Sequence, residues 1–245
     1  MKKQYLARIG FYILGFLILA LGIILNTKAG LGVSPIISVA YSISTIFSFD
    51  FGNTTFCLYA AFVVIEMIIH TVRTRKEAKQ AVKALTHAAQ KNIRLVLLMD
   101  LLQLPVSLIF TRFFNLFGSL IPDFETAYAG TFLGSMAGRL LVLIVAIILT
   151  GIGAAMSVNV RLIPNPGDGI VQAISDTVHK GMGLCKNLFD IGCIITTTVL
   201  GFLLAGKPVG IGIGTILAMI GVGRVVALYN HLFLARMKQA TGLNE

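Results

Sequence analysis

Long apolar runs separated by short polar stretches dominate the chain, and six of them are long enough to predict membrane-spanning helices: Ile9–Asn26, Thr54–Thr71, Ile93–Phe110, Leu140–Val158, Leu184–Ala205 and Val209–Phe233. Two shorter apolar stretches, Pro35–Phe49 and Pro166–His179, remain. At a rise of about 1.5 Å per residue neither is long enough to cross a hydrocarbon core of about 30 Å. Each opens with a capping residue followed by proline at the first helical position, Ser34-Pro35 and Asn165-Pro166, so each is predicted to start as a helix and turn back. The expected fold class is an all-α membrane protein with six transmembrane helices and two re-entrant half-helices.

The segment Val160–Gly169 has an apolar counterpart at Thr27–Pro35, 131 positions earlier. At the same offset Arg8 matches Arg139, Gly22 matches Gly153, Pro35 matches Pro166, Ile43-Ser44 matches Ile174-Ser175 and Gly52 matches Gly183. Duplicated units with broken helices are a common plan for secondary transporters. Charge sets the orientation. With the two short stretches re-entrant, sixteen of the twenty Lys and Arg residues fall on one side, and only Lys28, Arg112, Arg139 and Lys207 fall on the other. The positive-inside rule then makes both termini cytoplasmic. Each unit contains three crossings, so the second must be inverted relative to the first. The expected divisions are residues 1–72 (first repeat), 73–92 (basic cytoplasmic amphipathic segment), 93–128 (third span and outer loop) and 129–245 (second, inverted repeat).

Composition agrees with a bundle. The chain of 245 residues is 56% hydrophobic and 12% charged, with mean hydropathy +0.89, against about 25% charged in soluble domains. The N-terminal run exceeds the apolar region of a signal peptide and is read as a retained span. Cys57, Cys185 and Cys193 sit in apolar sequence and form no disulfide framework. The net charge of +10 points to anionic lipid headgroups and not to nucleic acid, because the basic residues stand where orientation requires them. Within residues 74–92, Ala78, Ala81, Val82, Leu85 and Ala89 share a face opposite Lys76, Lys79, Lys83 and Gln90. This predicts a helix lying on the inner surface or continuing the second span.

Lys186 and Asp190 are four apart at the start of the fifth span, with Asn187 between them. Charges in a span cost about 2.5–3.5 kcal/mol each on insertion, so they either mark a solute or ion site or form a structural pair with Lys186 reaching the interface. Asp168 follows Asn165 by three, where it can reach back to the cap backbone or coordinate a cation or proton. Gly167 and Gly169 flank it and leave backbone amides open to close approach. Asp100 and Gln103 share a face of the third span ahead of Pro105. Asp100 lies deep enough to need a polar partner such as Lys186 or Arg224, whereas Glu66 is close enough to its span's end to reach the interface. The glycines of Gly210–Thr215 and Gly221–Arg224 predict close helix packing, against a re-entrant helix among other partners. No zinc, nucleophile-elbow or kinase motif is present, His70, His87, His179 and His231 lack ligand spacing, and neither enzyme, cofactor nor metal is expected.

The Pro-Gly-Asp-Gly of residues 166–169, the Lys186/Asp190 pair, Gly212-Ile213-Gly214-Thr215 and Gly30-Leu31-Gly32-Val33-Ser34-Pro35 together resemble the YczE/YitT family of bacterial integral membrane proteins over nearly the whole chain. The long basic segment after the second span departs from that pattern, as does a third span without the glycines of the last. The resemblance implies a bacterial cytoplasmic membrane and supplies no substrate. Three functions fit: a secondary transporter of an unknown small solute with Asp190, Lys186, Asp168 and Asp100 around one polar site; a membrane scaffold or regulator that binds a partner or anionic lipid; and a solute-binding subunit of a larger transporter. A homo-oligomer is compatible with each.

Overall fold

The computed structural model describes residues 2–83 and 93–243, and these contain helices and no strand. In chain order they are α1 (Lys2–Lys28), α2 (Pro35–Phe47), α3 (Phe51–Lys83), α4 (Ile93–Leu120), α5 (Phe124–Ala127), α6 (Met136–Asn159), α7 (Pro166–Val178), α8 (Met182–Ala205) and α9 (Ile213–Thr241). Six of them, α1, α3, α4, α6, α8 and α9, are long and apolar enough to cross a membrane. Over the described residues the protein is therefore all-helical, with six candidate membrane spans. The basic stretch continues α3 as far as Lys83; the remainder of the predicted amphipathic face, including Leu85, Ala89 and Gln90, lies outside the described residues.

The two short helices have 13 residues each, about 20 Å of helix. Proline occupies the first turn of both, and Asn165 Oδ1 accepts a 3.0 Å bond from the Gly167 amide as a side-chain cap. Ser34 makes no such bond, so proline's fixed φ is the starting signal that the two helices share. Both end in a left-handed residue, Ser48 at φ 56° and His179 at φ 54°. Ser44 Oγ then donates to the Phe49 carbonyl, as Ser175 Oγ does to that of Lys180. All these positions coincide on adding 131, as do the ends of α1 and α6 and the starts of α3 and α8.

The centre of the bundle is the crossing of α1 with α6, where small residues bring the backbones together. A side chain at Gly22 would strike Thr150 and the Ala146 carbonyl; one at Gly153 would strike Leu19 and the Gly15 carbonyl. Gly15 in turn lies against Ser157. Passing from Gly15 to Gly22 along α1 therefore means passing back from Ser157 to Thr150 along α6, and the helices run antiparallel. Lipid supplies no hydrophobic drive for such pairs, so close packing and hydrogen bonds hold them.

Arginine ties off both ends of the crossing. Arg8 donates from Nε to the Val160 carbonyl (2.6 Å) and from Nη2 to that of Arg161 (2.7 Å). Arg139 donates from the same two atoms to the carbonyls of Ala29 and Gly30, both at 2.8 Å. The second pair of contacts is the first with its halves exchanged at the 131 offset. Gly30 and Arg161, which correspond, are both left-handed at φ 68° and 51°. On the α5 side, Lys28 pairs with Asp123 (3.3 Å) and Arg139 with Glu125 (2.7 Å).

The last span begins at Ile213 and not at the expected Val209, because Gly210 turns left-handed (φ 80°) and Gly212 is extended. The glycine-rich stretch packs against the linker into α2: Gly210 O accepts from the Val33 amide (2.9 Å) and the Gly214 amide donates to Leu31 O (2.7 Å). Gly221 lies against Ile147 of α6.

Candidate functional site

Where α2 and α7 begin, they meet. The side chain of Ile36, one residue into α2, is the nearest neighbour a Cβ on Gly167 would have, at 3.4 Å. Beside this junction lies a cavity of about 360 Å³. Its lining comes from both halves of the chain: Leu19, Ser34, Ile36, Ile37 and Tyr59 from the first, and Thr150, Asn165, Gly167, Asp168, Lys186 and Asn230 from the second. Most of the wall is apolar, with Ile23, Val158, Met182, Val222 and Val226 completing it. On one side Asn159 Nδ2 donates to Asn230 Oδ1 at 2.6 Å, joining α6 to α9.

The polar end of the cavity combines two helix N-termini with the charges of Asp168 and Lys186, while Asp190 stands against Lys186 outside the lining. The first turn of a helix carries a partial positive charge, and two such turns border one space; at α7, however, the Gly167 amide is taken by Asn165 Oδ1 and those of Asp168 and Gly169 by the Asn165 carbonyl, so the open amides expected at Gly167 and Gly169 are not there. Lys186 Nζ lies 3.9 Å from Asp190 Oδ1, a charge contact too long for a hydrogen bond, and that buried oxygen has no hydrogen-bond partner. Asp168 lines the cavity with Lys186. No bond joins its side chain to the Asn165 backbone among the described residues, so the reach back to the cap expected for Asp168 is not made; the side-chain cap of α7 is the bond from the Gly167 amide to Asn165 Oδ1. Asn187 is exposed and points away from the cavity, since one step along a helix turns a side chain by about 100°.

Asp100 and Gln103 form a second cluster that does not line this cavity. The partner expected for Asp100 is Lys186 or Arg224. The structure gives Asp100 the ring of His70 on α3, with Nδ1 2.8 Å from Oδ2, while Arg224 is exposed. Glu66, expected at the interface, is 3% exposed and accepts a 3.0 Å bond from Gln103 Nε2. Glu66 and His70 are one turn apart and face α4, and ligand atoms of Glu66, His70 and Asp100 all lie within 4.8 Å of one another. The Glu66/His70 spacing of four was the available signal; that the third ligand comes from another helix was not in the sequence.

The first turn of α7 stands between the two sites. Asp168 faces the cavity, and Gly169 lies bare against the second cluster, where a Cβ would come within 2.7 Å of Glu66 Oε2 and 3.0 Å of Gln103 Oε1. Further along α7, Arg73 of α3 pairs with Asp176 at 3.2 Å.

No solved structure matches this chain. A protein of Haemophilus influenzae (strain ATCC 51907 / DSM 11121 / KW20 / Rd), described as uncharacterized, is 27% identical to it over 103 residues, 42% of this chain. The chain thus spans 44% of the length of that relative. The model of a family of unknown function, DUF6198, matches residues 6–231, nearly the whole bundle with both short helices, and the chain belongs to that family.

Proposed function

We propose that this protein is a small secondary transporter of the cytoplasmic membrane, in which two inverted repeats alternate in opening a central site. The observation that carries this reading is the single cavity on which the first turns of α2 and α7 both open. Half-helices that meet near the midplane, with their N-termini on a solute, are a recurring transporter device. The exchanged Arg8 and Arg139 contacts and the antiparallel α1/α6 crossing support inverted halves. The charge bias supports cytoplasmic termini and two half-helices re-entrant from opposite faces. The cavity's apolar wall and its one polar end suit a small organic solute with an apolar body and a polar head.

The test is flux. The purified protein is reconstituted alone in liposomes and assayed with solutes first selected because they raise its thermal stability. Protein-dependent uptake, lost when Asp168 and Lys186 are replaced, is the expected result. Binding without flux would move the reading to a solute-binding subunit, and neither binding nor flux would move it to a scaffold.

A further inference from the structure

The second cluster has the composition of a metal site. Glu66, His70 and Asp100 offer two carboxylates and one imidazole with ligand atoms within 4.8 Å of each other. Ligands at about 2.0–2.2 Å around one ion lie no more than about 4.4 Å apart, so a contraction of a few tenths of an ångström suffices. A second observation is independent of the acidic residues. Gln103 is 1% exposed; its Nε2 is used on Glu66, and its Oε1 is buried without a partner. That oxygen and both Glu66 oxygens crowd against the bare α-carbon of Gly169, at 3.0, 2.7 and 3.1 Å from where a Cβ would stand.

The corresponding place in the other half shows what is unusual here. At the 131 offset, Gly169 matches Ser38 and Glu66 matches Thr197. Ser38 and Thr197 fill their contact with two mutually bonded hydroxyls, 2.7 Å apart. In the Gly169 half the serine side chain is missing, the threonine is a glutamate, and its two oxygens converge with Gln103 Oε1 on the bare glycine. Convergent buried oxygens repel one another unless a positive charge compensates.

We propose that Glu66, His70 and Asp100, with Gln103 Oε1 as a fourth donor, bind one divalent transition-metal cation of the Zn²⁺ or Mn²⁺ type. A divalent ion balances the two carboxylates and leaves the imidazole neutral, which a low-dielectric interior favours. The nitrogen ligand selects this class over Na⁺ or Ca²⁺, which prefer all-oxygen sites. Access is from the His70 side, where the ring is 17% exposed while Asp100 is 5% exposed. Binding takes the Nδ1–Asp100 hydrogen bond apart and releases any proton the ligands hold. The site stands whether or not the cavity transports.

The experiment uses the full chain in detergent, stripped with chelator and titrated with Co²⁺. Expected are a visible absorption band that saturates at one Co²⁺ per chain, its loss on adding Zn²⁺, and proton release. Glu66→Gln and Asp100→Asn each weaken binding by about tenfold or more, whereas the exposed Asp123→Asn does not. Absence of the band in monodisperse wild-type protein, or unchanged affinity in both cluster variants, overturns the proposal. Should those variants aggregate, X-ray absorption of the Zn²⁺-loaded wild type decides: a mixed nitrogen and oxygen shell sustains the site, and a shell without nitrogen refutes it.

Discussion

Replacing Arg139 by alanine removes two charge-assisted hydrogen bonds, to the Ala29 and Gly30 carbonyls, and the Glu125 ion pair. Hydrogen bonds to a charged group are worth about 1.5–3 kcal/mol each. The bond to Gly30 is exposed and counts for little, and Glu125 is 60% exposed, so its ion pair adds at most a fraction of a kilocalorie. The expected loss is about 2–4 kcal/mol, or a fall in melting temperature of about 4–16 °C for a chain of this size. Arg8→Ala should cost a similar amount, because Arg8 makes the same two bonds to Val160 and Arg161. Lysine at either position keeps the charge but cannot span two carbonyls at once, so it should recover less than half of the loss. The assay is thermal unfolding in detergent, followed by loss of the monodisperse peak on size exclusion. A melting temperature within 1 °C of wild type for either alanine variant, or full rescue by lysine, would refute the reasoning that these arginines clamp the two helix ends.

Two further predictions concern packing and charge. Gly153→Ala drives a methyl into the Leu19 backbone and should cost about 1–3 kcal/mol, whereas Gly192→Ala, with open space around it, should be neutral or gain up to about 1 kcal/mol of helix propensity; equal melting temperatures would contradict the crossing described. Asp190→Asn strips the partner from Lys186 and should lower stability by less than the ~3–5 kcal/mol of a fully buried pair, since Lys186 is 30% exposed. Adding Lys186→Gln should recover part of that loss, and strictly additive losses in the double mutant would show that the two charges are uncoupled.

Local rules reached as far as the chain neighbours that govern them. Proline after a capping residue sets where a helix begins, and α2 and α7 start at Pro35 and Pro166 as expected. The spans were legible because each buries its own backbone bonds and needs only length and apolarity. Their ends were less so, since the glycine turns before Ile213 depend on the linker of another element. Site residues failed where a side chain's direction mattered. Asn187 shares a turn with Lys186 and Asp190 yet is exposed, and Asp100 met His70 and not Lys186, because the α3/α4 contact decides its partner. Distance from the end of the span places Glu66 at the interface, whereas the packing of α7 at Gly169 is what buries it.

The central claim is that α2 and α7 are half-helices inserted from opposite faces, and the most direct measurement labels their matched C-terminal ends. Ser48 and His179 are both exposed, both left-handed caps, and 131 residues apart. In a cysteine-free background, Cys57, Cys185 and Cys193 having been replaced, Ser48→Cys and His179→Cys are treated in intact cells with a membrane-impermeant thiol reagent. Ser48→Cys should be labelled in intact cells, and His179→Cys only after permeabilisation, as the positive-inside assignment requires. Labelling of both positions from the same side would contradict the inverted arrangement and, with it, the alternating-access reading.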